Sequence, residues 1–328
     1  MQPLLKIRRL SALTLAALSL AAGGVVANDA VFPNKPIKIV VGFPAGQGTD
    51  TIARAMAPKI QASLGQVLIV DNKAGAGGIL GQQAAATAPP DGYTILFTSA
   101  GPMAVNPGVY AKLPYDPVKD YAAIAGVISV PLVLVANVEV PAKNVKELMA
   151  MAKAKPEEIN FASSGNGVTN HLAMEMLANA AGAKMTHVPY KGSPPALTDL
   201  MGGRVSVMFD TPVSVLPFIK SGRLKALAVS GPTRIAALPD VPTVAETYPG
   251  YSAVSWMVFV APAKTPAPVV AKLSDAVLKA VNMPEMQKYF VAQGVEPMPM
   301  GSVELGNFIK SEVDKWGKAA KAAGAKVD

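Results

Sequence analysis

The chain has no cysteine and only two histidines in 328 residues. Without cysteine there can be no disulfide, no thiolate nucleophile and no cysteine-held metal. His171 and His187 lack metal-ligand spacing, so neither a metal nor a cofactor is expected. No G-x-S-x-G segment occurs, which removes the commonest serine-hydrolase signature. Aromatic residues make up 6% and do not interleave with basic ones, so no base-stacking surface for nucleic acid is expected. Long apolar runs are missing beyond the N-terminus. The longest later run, Ala122 to Ala136, contains Ser129 and Pro131. It falls short of the ~20 residues of a membrane span.

What is present begins with a leader pattern. Lys6, Arg8 and Arg9 precede an apolar run from Leu10 to Val26, and Val25 and Ala27 suit a signal peptidase. Residues 1–27 therefore read as a cleaved signal peptide, and the expected location is the periplasm. The Arg8-Arg9 pair leaves both the general secretory and the twin-arginine route open. The net charge is +8, and losing the three leader cations leaves +5. The remaining excess is diffuse. Its densest stretch, Lys310 to Lys326, is broken by Glu312 and Asp314 and reads as a solvated helix.

Strand-like and helical patterns alternate through the rest. Strands are expected at 37–41, 67–70 and 93–98, with helices at 51–64 and 77–86 between them. The pattern recurs with strands at 131–135, 159–162, 187–190, 205–209 and 224–229, and helices at 145–153, 169–181 and 195–201. Each unit implies a parallel sheet with helices on both faces. After Val229 the chain is proline-rich, then gives a β run at 254–260 and helices at 268–281 and 303–323. This last part lacks a full sheet and is expected to return to the first unit. The expected organisation is 28–127 plus 230–328 as domain 1 and 128–229 as domain 2, with hinge crossings near Val127 and Val229. A kink is expected at Pro58 inside the first helix.

Ligands of open α/β sheets sit beyond the carboxyl ends of the strands. Two strand-to-helix loops stand out there. One runs Phe43-Pro44-Ala45-Gly46-Gln47-Gly48-Thr49-Asp50, and the other Ser163-Ser164-Gly165-Asn166-Gly167-Val168-Thr169-Asn170. Glycines let backbone N–H groups approach a ligand. A helix start adds free donors and positive potential, an anion site that needs no arginine. Asp210 ends an apolar strand and should face the cleft, either repelling a second carboxylate or receiving a ligand ammonium or hydroxyl. Lys191 could pair with a distal carboxylate, and Tyr190 and Phe43 could pack on the ligand body. His171 lies in the first turn of its helix and could orient a ligand or fix the loop.

These segments carry a family resemblance. With Pro33-Asn34-Lys35-Pro36-Ile37, Asp71-Asn72-Lys73-Ala74-Gly75-Ala76-Gly77-Gly78, His187-Val188-Pro189-Tyr190-Lys191-Gly192 and Leu238-Pro239-Asp240-Val241-Pro242-Thr243, the chain resembles the Bug family. Those proteins are extracytoplasmic receptors of tripartite tricarboxylate transporters. The resemblance implies two doubly wound α/β domains joined by a two-strand hinge, like a type II periplasmic binding protein flytrap. It implies that Ser163, Ser164, Gly165, Asn166 and Thr169 hold a ligand carboxylate. The loop carrying Phe43, Ala45, Gly46, Gln47, Gly48 and Asp50 then closes on it. Further lining is implied for Ser99, Ala100 and Asn106, and for Asp210. Gln47 departs from the family's usual glycine-rich run and is expected to alter specificity. The implied ligand is a dicarboxylate or aromatic carboxylate, the implied partners are membrane permease subunits, and a monomer is expected.

Two other readings remain open at this stage. Gly75-Ala76-Gly77-Gly78 follows a strand as a dinucleotide fingerprint would, but Leu80 breaks the G-x-G-x-x-G pattern. The same flytrap could also present itself to a membrane sensor kinase instead of a permease.

Overall fold

The computed structural model describes residues 32–156, 158–322 and 324–325. The leader at 1–27 lies outside the described residues. Among the described residues no helix is long and apolar enough to cross a membrane.

Two mixed sheets organise residues 35–325. The first starts with β1 (Ile37–Val41), whose apolar side chains are almost all buried. β1 pairs in parallel with β2 (Leu68–Asn72) on one side and β3 (Thr94–Ser99) on the other. Helix α1 (Gly48–Leu64) links β1 to β2, and α2 (Ile79–Ala86) links β2 to β3. α1 continues unbroken through Pro58 and ends on Gly65, whose φ of 70° suits glycine.

The first sheet is not wholly parallel, contrary to expectation. β4 (Tyr121–Pro131) and β10 (Val254–Pro262) form its longest pair and are antiparallel, with β10 inserted between β4 and β3. β11 (Glu296–Pro297) completes the order β11-β4-β10-β3-β1-β2. The late β run therefore returns to the first sheet, as expected, and takes a central place in it. Helix α8 (Ala267–Val281) covers this sheet, with Leu273, Val277 and Ala280 buried.

The second sheet has the order β7-β6-β8-β5-β9. β6 (Asn160–Ser163) is parallel to β7 (Thr186–Pro189) and β8 (Val207–Asp210). β5 (Val133–Asn137) lies antiparallel to β8 and to β9 (Leu224–Val229). Four helices accompany these strands: α4 (Val145–Ala154), α5 (Thr169–Ala181), α6 (Ser193–Met201) and α7 (Pro212–Lys220). α3 (Asn106–Val109) belongs to the first sheet's side of the chain, as do α9 (Pro284–Ala292) and α10 (Ser302–Ala322).

The passage between sheets falls at Leu132, since β4 runs to Pro131 in the first and β5 begins at Val133 in the second. That is later than the expected crossing near Val127. The return follows Val229, but Ile235 sits in the second sheet's core, with Leu238 and Val241 packed on it. Residues 235–241 thus pack against the second sheet before the chain returns to the first at β10. Ser230 ties the passages together. Its Oγ accepts the Leu132 N–H at 2.7 Å and donates to the Ala253 carbonyl at 2.6 Å.

Candidate functional site

The first loop is shaped by charge. Gly46, at φ 81°, donates its N–H to Asp50 Oδ2 at 2.9 Å. Arg54 Nε donates to both Asp50 oxygens at 3.0 Å, and Asn72 Nδ2 donates to Oδ1 at 2.9 Å and to the Phe43 carbonyl. Burial alone would raise the Asp50 pKa, but the bonds from Arg54, Gly46 and Asn72 prevail and hold it below the ordinary carboxylate value. Asp50 is therefore occupied with its own loop and does not line the cleft.

The second loop is shaped by stacked rings. His171 and His187 stack with centroids 3.9 Å apart, and His187 stacks on Phe161 at 4.8 Å. His171 Nδ1 accepts the Gly167 N–H at 3.2 Å, so its proton sits on Nε2, 3.7 Å from Glu175. Ser163 Oγ donates to the Gly165 carbonyl at 2.8 Å and lies 2.6 Å from His187 Nε2. With the serine proton engaged, His187 is the donor. Burial and the neighbouring His171 push the His187 pKa down to about 3, so this ring stays neutral.

Both loops end in helix starts that their own N-cap side chains do not cap. Gln47 precedes α1 and Val168 precedes α5, neither with a side-chain cap. A third such start, α7 behind Thr211 and Pro212, joins them. These three starts meet at one small cavity of ≈ 40 Å³. Phe43, Gln47 and Thr49 line it from the first loop, with Ser99 and Gly101 from the end of β3. Ser164, Val168, Thr169 and Asn170 line it from the second loop. Asp210 and Thr211 close one wall, and Leu132, Ser255 and Met257 another. The helix dipoles and the first-turn N–H groups outside the α-helical ladder favour an anion here. Asp210 is the one ionisable side chain in this lining.

A cavity of that size holds little more than water, against ~300–1,000 Å³ for sites that enclose drug-sized ligands. The two lobes are drawn together across it. Gly48 N–H donates to Ser214 Oγ at 3.2 Å, and Ser193 N–H to Gln47 Oε1 at 3.1 Å. Tyr110 Oη donates to the Asn166 carbonyl at 3.1 Å. Gly48 admits no side chain, because a Cβ there would lie 2.4 Å from Thr211 Oγ1.

Of the residues singled out in the sequence, Phe43, Gln47, Ser99, Ser164, Thr169 and Asp210 come together at this cavity. Gly165, Asn166, Tyr190 and Lys191 line an adjoining groove of ≈ 260 Å³ that shares Phe43 and Ser164 with it. Ala45, Gly46, Gly48, Ala100 and Ser163 lie beside the lining as parts of the same loops. Asn106 stands behind the second loop, with Oδ1 2.8 Å from where a Gly167 Cβ would be. His171 also lies behind that loop. Thr49, Val168 and Asn170 belong to the two loops read from the sequence, and Gly101 and Thr211 adjoin residues that the resemblance implied. Sequence reasoning missed Leu132, Ser255 and Met257, which carry no local signal. A larger surface depression of ≈ 630 Å³ lies elsewhere, and its only charged lining residues are Asp116 and Asp120. That is the wrong sign for an acid.

The comparisons with known proteins give the family and the fold. Residues 52–325 match the family model of the tripartite tricarboxylate transporter family receptor, TctC. Protein BugT of Bordetella pertussis is 36% identical over 312 residues, covering 94% of this chain and 96% of BugT. The structure of Rpa4515 from R. palustris with adipate is 33% identical with a TM-score of 0.87, covering 90% of this chain and all of that one. MatC from Rhodopseudomonas palustris with bound malate is 31% identical with a TM-score of 0.84, covering 88% and 99%. With two α/β sheets, helix starts converging between them and relatives matched along nearly their whole length, the chain belongs to the TctC, or Bug, family of periplasmic solute-binding receptors, a family of binding proteins and not of enzymes.

Proposed function

We propose that this receptor is exported by its leader, captures a small organic carboxylate between its lobes and delivers it to the membrane subunits of a tripartite tricarboxylate-type transporter. One observation carries the reading: three helix starts from both lobes, none capped by its own N-cap side chain, meet at a cavity lined by no cationic side chain. Each such start contributes ~0.3–1 kcal/mol toward an anion when exposed and up to ~2 when partly buried. Neutral donors can therefore hold a carboxylate, with Thr169, Asn170 and Ser164 on one side and Gln47, Thr49 and Ser99 on the other.

The lobes pivot at Leu132, Ser230 and Ala253, widening the cavity to admit the acid and closing on it. A ligand shifts that equilibrium only through its greater affinity for the closed form. Relatives crystallised with adipate and malate support a carboxylate ligand. The test is a thermal-shift screen and calorimetry of the leaderless protein with adipate, malate and aromatic carboxylates. At ~1,000-fold excess over Kd a specific acid stabilises by ~4 kcal/mol. If no carboxylate stabilises the protein, the reading falls.

A further inference from the structure

Two buried polar atoms beside the cavity make no hydrogen bond of normal geometry. Asp210, at the end of β8, is 3% exposed. Its Oδ1 accepts the Thr211 N–H at 2.7 Å, but Oδ2 has no hydrogen-bond partner. Ser193 Oγ, at the start of α6, is also buried and partnerless. The Ser193 hydroxyl is near enough to favour the charged form of Asp210, yet no bond of normal geometry joins the two. Ser193 cannot offer its N–H to a ligand either, because Gln47 Oε1 already accepts it across the cleft.

The physical consequence is an asymmetric site. The helix starts around the cavity present donors. The Asp210 wall presents an acceptor with a free lone pair. Burial pushes the Asp210 pKa up to about 6, so it is ionised at neutral pH and under-satisfied. A buried acceptor left unpaired is costly, and a donor that reaches it recovers that cost. A second carboxylate aimed at Asp210 would place two like charges together.

We propose that Asp210 is an acceptor subsite for an ammonium or hydroxyl group on the ligand, so that the preferred ligand is an amino or hydroxy acid over the plain acid of the same skeleton. This rests on reading the cavity as a carboxylate site. Gln47 sharpens the selection: by accepting the Ser193 N–H at the start of α6 it denies that donor to a second carboxylate.

The experiment uses leaderless protein, unfolded and refolded to strip any retained acid, and titrates matched probes by calorimetry. The sets are succinate, malate and aspartate; adipate and 2-aminoadipate; benzoate, 4-hydroxybenzoate and 4-aminobenzoate. In the set that binds, the donor-bearing acid is expected to bind at least about ten-fold tighter, in line with a hydrogen bond to a charged group. Asp210→Asn should shrink that ratio several-fold, by weakening the donor-bearing acid relative to its plain partner and relieving the repulsion of a second carboxylate. Equal binding within every set, or a ratio unchanged in Asp210→Asn, would overturn the proposal. A ligand-free arm separates it from the carboxylate reading. With Oδ2 unpaired, Asp210→Asn should raise the melting temperature at pH 7.5 and change it little at pH 4. A lower melting temperature at pH 7.5 would mean that Oδ2 has a structural partner, and the subsite would fail whatever the cavity binds. If no probe binds while the ligand-free gain appears, the carboxylate reading fails and the claim about ligand class falls with it.

Discussion

Loops 43–50 and 163–170 both carry glycines into a helix start, yet different chemistry holds each in shape. The first depends on Asp50 and Arg54, an ion pair at 2.9 Å whose arginine side chain is 52% exposed. The second depends on His171 and His187, stacked and hydrogen-bonded to the loop. An exposed cation is screened by salt, whereas a neutral stack is not. The two walls of the cleft thus differ in their sensitivity to ionic strength.

The sharpest way to break this symmetry of purpose is at two of the glycines where the lobes touch. Gly167 has φ 72°, and a Cβ there would lie 2.6 Å from Tyr110 and 2.8 Å from Asn106 and Val109. Gly167→Ala is expected to weaken acid binding by at least about 100-fold, roughly 3 kcal/mol on the affinity scale, as read by calorimetry. Gly48 suffers only the clash with Thr211, so Gly48→Ala should cost less, and adding Thr211→Gly should restore part of the affinity. Restoration in the Gly167 variant by trimming Tyr110 alone would show that backbone strain contributes nothing there.

The next effect is on pH. His187 has its pKa depressed from 6.5 to about 3, so the unfolded chain binds its proton more readily. Its contribution to stability is present above pH 6.5 and is lost as the pH falls toward 3. After discounting for partial exposure, the loss is on the order of 2 kcal/mol. Asp210 works the other way, with stability lost as the pH rises from 3.8 to about 6. His171 and Ser163 face His187 directly, and Glu175 lies behind His171. Chemical denaturation of His187→Asn in an Asp210→Asn background should therefore show a flatter profile from pH 6.5 to 3 than Asp210→Asn alone. An unchanged profile would assign the acid sensitivity elsewhere.

The smallest effect belongs to the first loop. Arg54→Ala is expected to cost about 1 kcal/mol and a few-fold in affinity. Half-molar salt should mimic it in the unaltered protein and leave the second loop's contribution intact. If salt leaves binding untouched, the ion pair is not what shapes the first loop.

Much of this was legible in the sequence, and the misses have physical causes. The alternation of strands and helices, both loops and Asp210 could be read because period and glycine placement are local. Helix α7 was hidden by Pro212 and Pro217, which read as breakers although proline suits a first helical turn. β4 was hidden because Tyr121 to Pro131 is buried with little alternation. The central places of β10 and β5 depend on partners far away in the chain, so no window of sequence contains them. Ser255 and Met257 were invisible for the same reason, since β10 carries them to the cavity. Tyr251 shows the same effect, donating its hydroxyl to the Ala173 carbonyl from a proline-rich stretch that gave no such hint.

The place of β10 also bears on how the molecule is made. Its neighbours β3 and β4 are complete by Pro131, but the strand that joins them begins at Val254. Until then one half of the receptor is a sheet with a missing middle, while the other can finish on contiguous chain. Ser230 brings the ends of that contiguous piece together, as a clasp does. Pulse-labelled hydrogen exchange during refolding should accordingly protect β5, β6 and β8 before β3 and β4, so the half assembled last is the one that begins and ends the protein.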